Sequence, residues 1–117
     1  MNAFPLVLTG HLVGDWIVQT DWQAANKMTS WKANQQHMLG YHVTLVALAL
    51  LGMAWPAALT LGGISWLTHS IIDRRWPVIR LMQVTGSRPF SQTTFGVIAV
   101  DQALHLSILS LAVVGVS

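Results

Sequence analysis

The sequence predicts an all-α, four-transmembrane-helix bundle, and three observations support that prediction. Hydrophobic residues make up 53% of the 117-residue chain and charged residues only 9%, whereas an ordinary soluble domain carries roughly 25% charged residues. Four apolar stretches, at about 4–19, 38–55, 56–73 and 94–116, approach the ~20 residues that cross a ~30 Å hydrocarbon core. These stretches are rich in Leu and Ala and lack the period-two alternation of strands; an open sheet would also leave unpaired backbone groups in lipid. A length of 117 residues makes the chain a single domain, 1–117.

The first stretch, 4–19, is the shortest. Gly10 and Gly14 form a small-xxx-small pair within it, which admits a close helix neighbour. It does not read as a secretory signal, because no basic leader precedes it and His11 and Asp15 interrupt its apolar run. Stretches two and three are joined around Met53 to Ala57, where no basic residue occurs. Lys27 and Lys32 lie between stretches one and two, and Arg74, Arg75, Arg80 and Arg88 between three and four. The positive-inside rule therefore predicts that both basic loops are cytoplasmic and both termini outside, as for a multi-pass protein of the bacterial inner membrane. Trp22, Trp31, Trp55 and Trp76 fall near stretch ends, where interfacial anchors belong. The run from Arg74 to Met82 mixes Arg with Trp, Val, Ile and Leu, which suits a segment lying among headgroups, and Thr85 to Pro89 reads as a turn. In stretch four, Gly96, Ala99, Ala103, Ser107 and Ser110 form a small-residue stripe nearly opposite Asp101 and His105. That stripe is either a homo-oligomer contact or a lipid-facing surface.

The pI of 9.7 reflects six Lys/Arg against four Asp, with no Glu. No basic run with interleaved aromatics is present, which argues against nucleic acid as a partner. Cysteine is absent, so disulfides, thiol redox chemistry and thiolate ligands are excluded, and imidazole and carboxylate remain as the strong metal ligands.

Three of the four aspartates have a histidine four residues away: His11 and Asp15, His69 and Asp73, Asp101 and His105. Residues at this spacing lie one above the other on a helix face. With five His in the chain, three such partnerships arise by chance on the order of a few times per thousand. All three pairs, together with His42, fall in the predicted cytoplasmic half of the stretches. An ionised Asp at the centre of a membrane helix costs about 2.5–3.5 kcal/mol on insertion scales, and no Lys or Arg lies within a stretch to offset it. One or two divalent cations would offset it directly, and nitrogen and oxygen donors suit Zn, Mn, Fe or Ni. The competing readings are hydrogen-bonded pairs that hold helices together and a proton relay.

The ordered motifs Gly10-His11-Leu12-Val13-Gly14-Asp15-Trp16, Gln19-Thr20-Asp21-Trp22, Asn26-Lys27, His42-Val43, His69-Ser70-Ile71-Ile72-Asp73 and Asp101-Gln102-Ala103-Leu104-His105 resemble those of a domain-of-unknown-function family of small four-helix integral membrane proteins of bacteria and their phages. The resemblance covers most of the chain and brings no established activity. It implies that these His, Asp and Gln positions are the shared polar set and that Lys27 belongs with them. The segment from Trp31 to His37 lies outside the resembling motifs, so His37 is left out of the expected site. By ligand pattern alone, the chain is also similar to membrane-bound metal-dependent hydrolases.

The expected function is metal-dependent hydrolysis of a lipid-borne or amphipathic substrate, with membrane lipid as the partner. Asp15, His69, Asp73, Asp101 and His105 are the expected metal ligands, and His11 and His42 are further ligands or the general base. Arg74, Arg75 and Lys27 are expected to hold the substrate, a phosphate group being the natural guest for the arginines. The alternatives are metal-ion or proton translocation through an oligomer, using the same residues, and a non-catalytic membrane interaction module. The sparse polarity of the outer half of the stretches disfavours a continuous path.

Overall fold

A computed structural model describes residues 2–117, which are all-helical, with six α-helices and no strand among the described residues. The helices are α1 (Phe4–Trp16), α2 (Asp21–Asn26), α3 (Trp31–Ala49), α4 (Trp55–Ile72), α5 (Trp76–Val84) and α6 (Thr94–Val116), with a 3-10 turn at Phe90–Gln92. Local chemistry sets most of the starts. Pro occupies the first turn of α1, α4 and α5, where its missing N–H costs nothing. Thr20 and Gln23 form a reciprocal capping box on α2, and the Ser30 and Thr93 hydroxyls accept from the first-turn amides of α3 and α6.

Helix α1 packs along α3, α3 against α4, and α4 against α6, while α1 and α6 also touch. Helix α1 approaches α3 closely at Gly10 and Gly14, where an added Cβ would stand 3.0 Å from the Leu45 Cα and 2.8 Å from a Tyr41 ring carbon. The apolar core contains Val7, Tyr41, Leu45, Ala49, Ala58, Leu61, Leu109 and Val113. Phe4, Met53 and Val116 pack against it, so the start of α1, the end of α6 and the α3–α4 turn sit at one pole. The polar residues gather at the other pole, where α5 packs on α4 and α6 through Val78 and Met82.

The elements differ from the expected stretches at both poles: α3 ends at Ala49, six residues short of the expected 55, and the larger departures are at the polar pole. Helix α1 ends at Trp16 instead of Gln19, and α3 begins at Trp31, seven residues before the apolar run that marked it in the sequence. Ser30 supplies the cap that starts α3 there. The Arg74–Met82 segment is mostly helix α5, entered through Arg75 at φ 72°. Only α6 among the described residues is both long and apolar enough to cross a membrane.

Candidate metal centre

The polar pole is built from the ends of α1, α3 and α4 and the first half of α6. Asp15 lies in the last turn of α1, His37 in the second turn of α3, His69 in the last turn of α4, and Asp73 caps α4. Asp101 and His105 lie one turn apart on α6. All six side chains are at most 4% exposed.

His37 Nε2 stands 3.0 Å from Asp15 Oδ1 and 3.2 Å from Asp73 Oδ2. His69 Nε2 stands 3.6 Å from Asp15 Oδ1 and 3.0 Å from Asp73 Oδ2. These four side chains thus form a closed ring of alternating imidazole and carboxylate. Donors held ~2.1 Å from a shared ion in a tetrahedral array lie about 3.4 Å apart; the four adjacent separations are near that spacing, and all four donor atoms lie within 4.8 Å of one another. Its hydrogen bonding is incomplete: both ring nitrogens of His69 and Nδ1 of His37 are buried without a hydrogen-bond partner, whereas Asp73 Oδ2 has Lys27 Nζ, His37 Nε2 and His69 Nε2 around it at 3.0–3.2 Å. Buried polar atoms are normally satisfied, so the unpartnered Nε2 of His69, which faces both carboxylates, fits a cation held among them.

A second group shares Asp73. His105 Nε2 lies 3.1 Å from Asp73 Oδ1 and 3.6 Å from Asp101 Oδ2. Asp15, His37, His69 and Asp73 form one set able to hold a metal ion, and Asp73, Asp101 and His105 form another. Asp73 presents one carboxylate oxygen to each.

The surrounding residues orient these groups. Gln102 donates from its amide to Asp15 Oδ2 at 2.9 Å and to Asp101 Oδ2 at 3.2 Å, and its carbonyl accepts from His11 Nε2 at 2.8 Å. His11 Nδ1 then accepts from the Tyr41 hydroxyl at 2.7 Å. This chain fixes one neutral tautomer of His11 and leaves it no free nitrogen. His42 is likewise committed, donating from Nδ1 to the Met38 carbonyl at 2.7 Å and accepting at Nε2 from Ser65 at 2.9 Å. His11 and His42 therefore support the site from outside the two ligand sets.

Two cations from the loops reach the carboxylates. Lys27 Nζ lies 3.2 Å from Asp73 Oδ2, and its side chain is 8% exposed. Its backbone carbonyl faces Asn34 and Arg74, each at 3.4 Å, which ties the α2–α3 loop to α3 and α4. Arg75 Nε stands 4.0 Å from Asp101 Oδ1. Arg74 turns away and lies 4.1 Å over the Trp31 ring. Asp21 begins α2 outside both sets.

The three i,i+4 pairs of the sequence are all present, at 4.0 Å for His11–Asp15, 3.0 Å for His69–Asp73 and 3.6 Å for Asp101–His105. Sequence reasoning placed His37 outside the site, and the structure puts it in the first ligand set. Its signal was its spacing: His37 is one turn before Tyr41 and just over a turn before His42, on the face that α3 turns inward. Lys32, at the loop end of α3, is the one Lys or Arg in the four long helices, and Lys27, expected to hold substrate, instead reaches Asp73 from the α2–α3 loop.

This chain belongs to the family described as "Protein of unknown function (DUF3307)", which matches residues 3–117. Comparison with curated proteins and with solved structures gives no match.

Proposed function

We propose that this protein is a multi-pass membrane protein of the bacterial inner membrane with a metal centre at its cytoplasmic end, and that it hydrolyses a lipid-borne or amphipathic substrate. The observation that carries the proposal is the ring of Asp15, His37, His69 and Asp73, with separations of 3.0–3.6 Å and an unpartnered, buried Nε2 on His69. Asp73, Asp101 and His105 offer a second position. A divalent ion there would supply an acidified water and polarise a phosphoryl or acyl oxygen. The protein's own part is to hold the carboxylates through Gln102, to fix His11 through Tyr41, and to present Lys27 and Arg75 to the substrate.

The surface supports the membrane reading. Leu12, Leu39, Val43, Leu59, Leu67, Leu111 and Val114 are exposed on the four long helices, an apolar surface of the kind that needs lipid or protein to cover it. Trp22, Trp31 and Trp76 are exposed toward the polar pole and Trp55 at the opposite one, as two interfacial belts. The four long helices are therefore read as spans, with α1 crossing only part of the core: its 13 residues extend ~20 Å. Helices α3 and α4 give their polar-pole turns to the site, which lowers their apolarity. Exposed Ala103, Ser107 and Ser110 on α6 offer a face for a second copy.

The Lys27–Asp73 pair favours one other reading. Lys27 and Arg75 with one protonated His would balance three aspartates, making the cluster a structural ion network without metal. Thermal unfolding in detergent separates the two. Chelation should lower the midpoint, and Zn, Mn or Ni should restore it, because a ligand bound only by the folded state stabilises it by ~2.7 kcal/mol at a hundredfold excess over Kd. Asp101→Asn should weaken that response and Asp21→Asn should keep it. A midpoint indifferent to chelator and metal would select the ion network.

A further inference from the structure

The connection between α1 and α3 is held down by one side chain. From Ile17 to Lys32, Lys27 is the one buried residue, and every other residue is exposed or half-buried. Helix α2, which lies within this segment, buries none of its residues. Lys27 is 7% exposed, and its Nζ lies 3.2 Å from Asp73 Oδ2. Its carbonyl accepts from Asn34 and Arg74, each at 3.4 Å, beyond the usual reach of an N–H···O bond. Ala24 and Lys27 form the α2 side of a cleft whose other walls include Asp15 and Asp101. The segment is a strap beside the metal sets, and an ammonium group is its main fastening.

We propose that Lys27 and a divalent ion compete for Asp73, so that metal binding releases Lys27 and frees the strap. The proposal rests on the metal-centre reading above and supplies its regulation. Two observations carry it. The first is that Lys27 holds the same oxygen that the ring needs: Asp73 Oδ2 also faces His37 Nε2 at 3.2 Å and His69 Nε2 at 3.0 Å. An ion among these donors takes that oxygen at about 2.0–2.2 Å, which sets an ammonium and a divalent ion against one atom. The second is the charge of the pole. Metal-bound histidines are neutral, so the acidic charge comes from Asp15, Asp73 and Asp101. One divalent ion and Arg75, 4.0 Å from Asp101, cancel those three carboxylates. Lys27 is then a surplus buried charge, which water holds at far lower cost. Loss of the Asp73 charge alone would not expel it, because Asp15 and Asp101 would still balance Lys27 and Arg75. Once the ammonium leaves, no other buried residue of the strap keeps it in place, and the cleft beside the ring widens. The order of events is fixed: metal enters first, and substrate is admitted second.

Lys27 and Lys32 are the two lysines of the chain, so amine labelling reads the strap directly, with exposed Lys32 as the internal control. The full chain in detergent is acetylated once with chelator and once with saturating Zn or Mn. Mass spectrometry follows each lysine, and elemental analysis counts bound metal in parallel. With chelator, Lys32 should react while Lys27 is protected. With metal, Lys27 should react about tenfold faster or more, and the Lys32 rate should not change. In a competition titration, Lys27→Met removes the competing cation and should bind metal about tenfold more tightly than wild type, whereas Lys27→Arg should not. The wild-type labelling decides the matter even where Lys27→Met fails to fold. Lys27 labelling that is indifferent to a metal shown to be bound overturns the proposal and leaves the metal centre intact. Folded Lys27→Met protein that binds metal no more tightly than wild type does the same. If no sample binds metal, the metal-centre reading fails instead, and the proposal that rests on it falls too.

Discussion

Asp73 is the residue whose loss the structure makes most costly. It is fully buried and faces Lys27 at 3.2 Å, His37 at 3.2 Å, His69 at 3.0 Å and His105 at 3.1 Å. Asp73→Asn keeps the shape and removes the charge. Lys27, 7% exposed, then has no acidic partner within ion-pair distance among the described residues. Breaking a buried pair from one side costs about 3–5 kcal/mol, because the remaining charge stays desolvated. That is a large part of the ~5–15 kcal/mol that holds a small protein together. At ~4 °C per kcal/mol, the melting midpoint should fall by ~12–20 °C. The measurement belongs in detergent with chelator throughout, so that only the ion pair is read. The double variant Asp73→Asn/Lys27→Met should recover much of the loss, since an apolar side chain tolerates the same burial. A single variant within ~1 kcal/mol of wild type would refute the claim that Asp73 anchors the polar pole, as would a double variant less stable than the single one.

Other outcomes follow from the packing and the ligand geometry. Gly14→Ala places a methyl 2.8 Å from the Tyr41 ring and should destabilise the protein by ~1–3 kcal/mol in a melting experiment; Gly63→Ala, where nothing lies within 4 Å, should be neutral or slightly stabilising. Gln102→Leu should reduce metal affinity ~10–100-fold in a competition titration, because it frees the Asp15 and Asp101 carboxylates to reorient. Cysteine placed at positions 32 and 88 should be labelled only from the cytoplasmic face of intact cells, and label reaching them from outside would reverse the orientation.

The helix count and the site were legible in the sequence to different depths. Hydropathy located α6 to the residue, because 94–116 is apolar apart from Asp101, Gln102, His105 and a few hydroxyl residues, and Thr93 caps it. It misplaced the start of α3 because Trp31 to His37 is mostly polar. That segment is helical through the Ser30 cap and through inward-facing Asn34 and His37, features a hydropathy window averages away. The His–Asp pairs were visible because i,i+4 spacing is local. Lys27 beside Asp73, 46 positions apart in sequence, was not visible as a contact, since no local period links a loop lysine to the end of another helix. Gln102 was within the resembled motif, yet its clamp on Asp15, 87 positions away, depends on how α1 meets α6.

The central claim is that the buried ring holds a divalent ion, and His37 tests it most directly. Metal content per chain should be determined by elemental analysis of protein extracted from membranes without chelator, for wild type, His37→Ala and His42→Ala. The account predicts about one or two ions per wild-type chain, a clear loss in His37→Ala, whose Nε2 lies 3.0 Å from Asp15 and 3.2 Å from Asp73, and retention in His42→Ala, whose nitrogens are bonded to Met38 and Ser65. Wild-type protein free of metal, or His37→Ala protein that keeps its full complement, would contradict it.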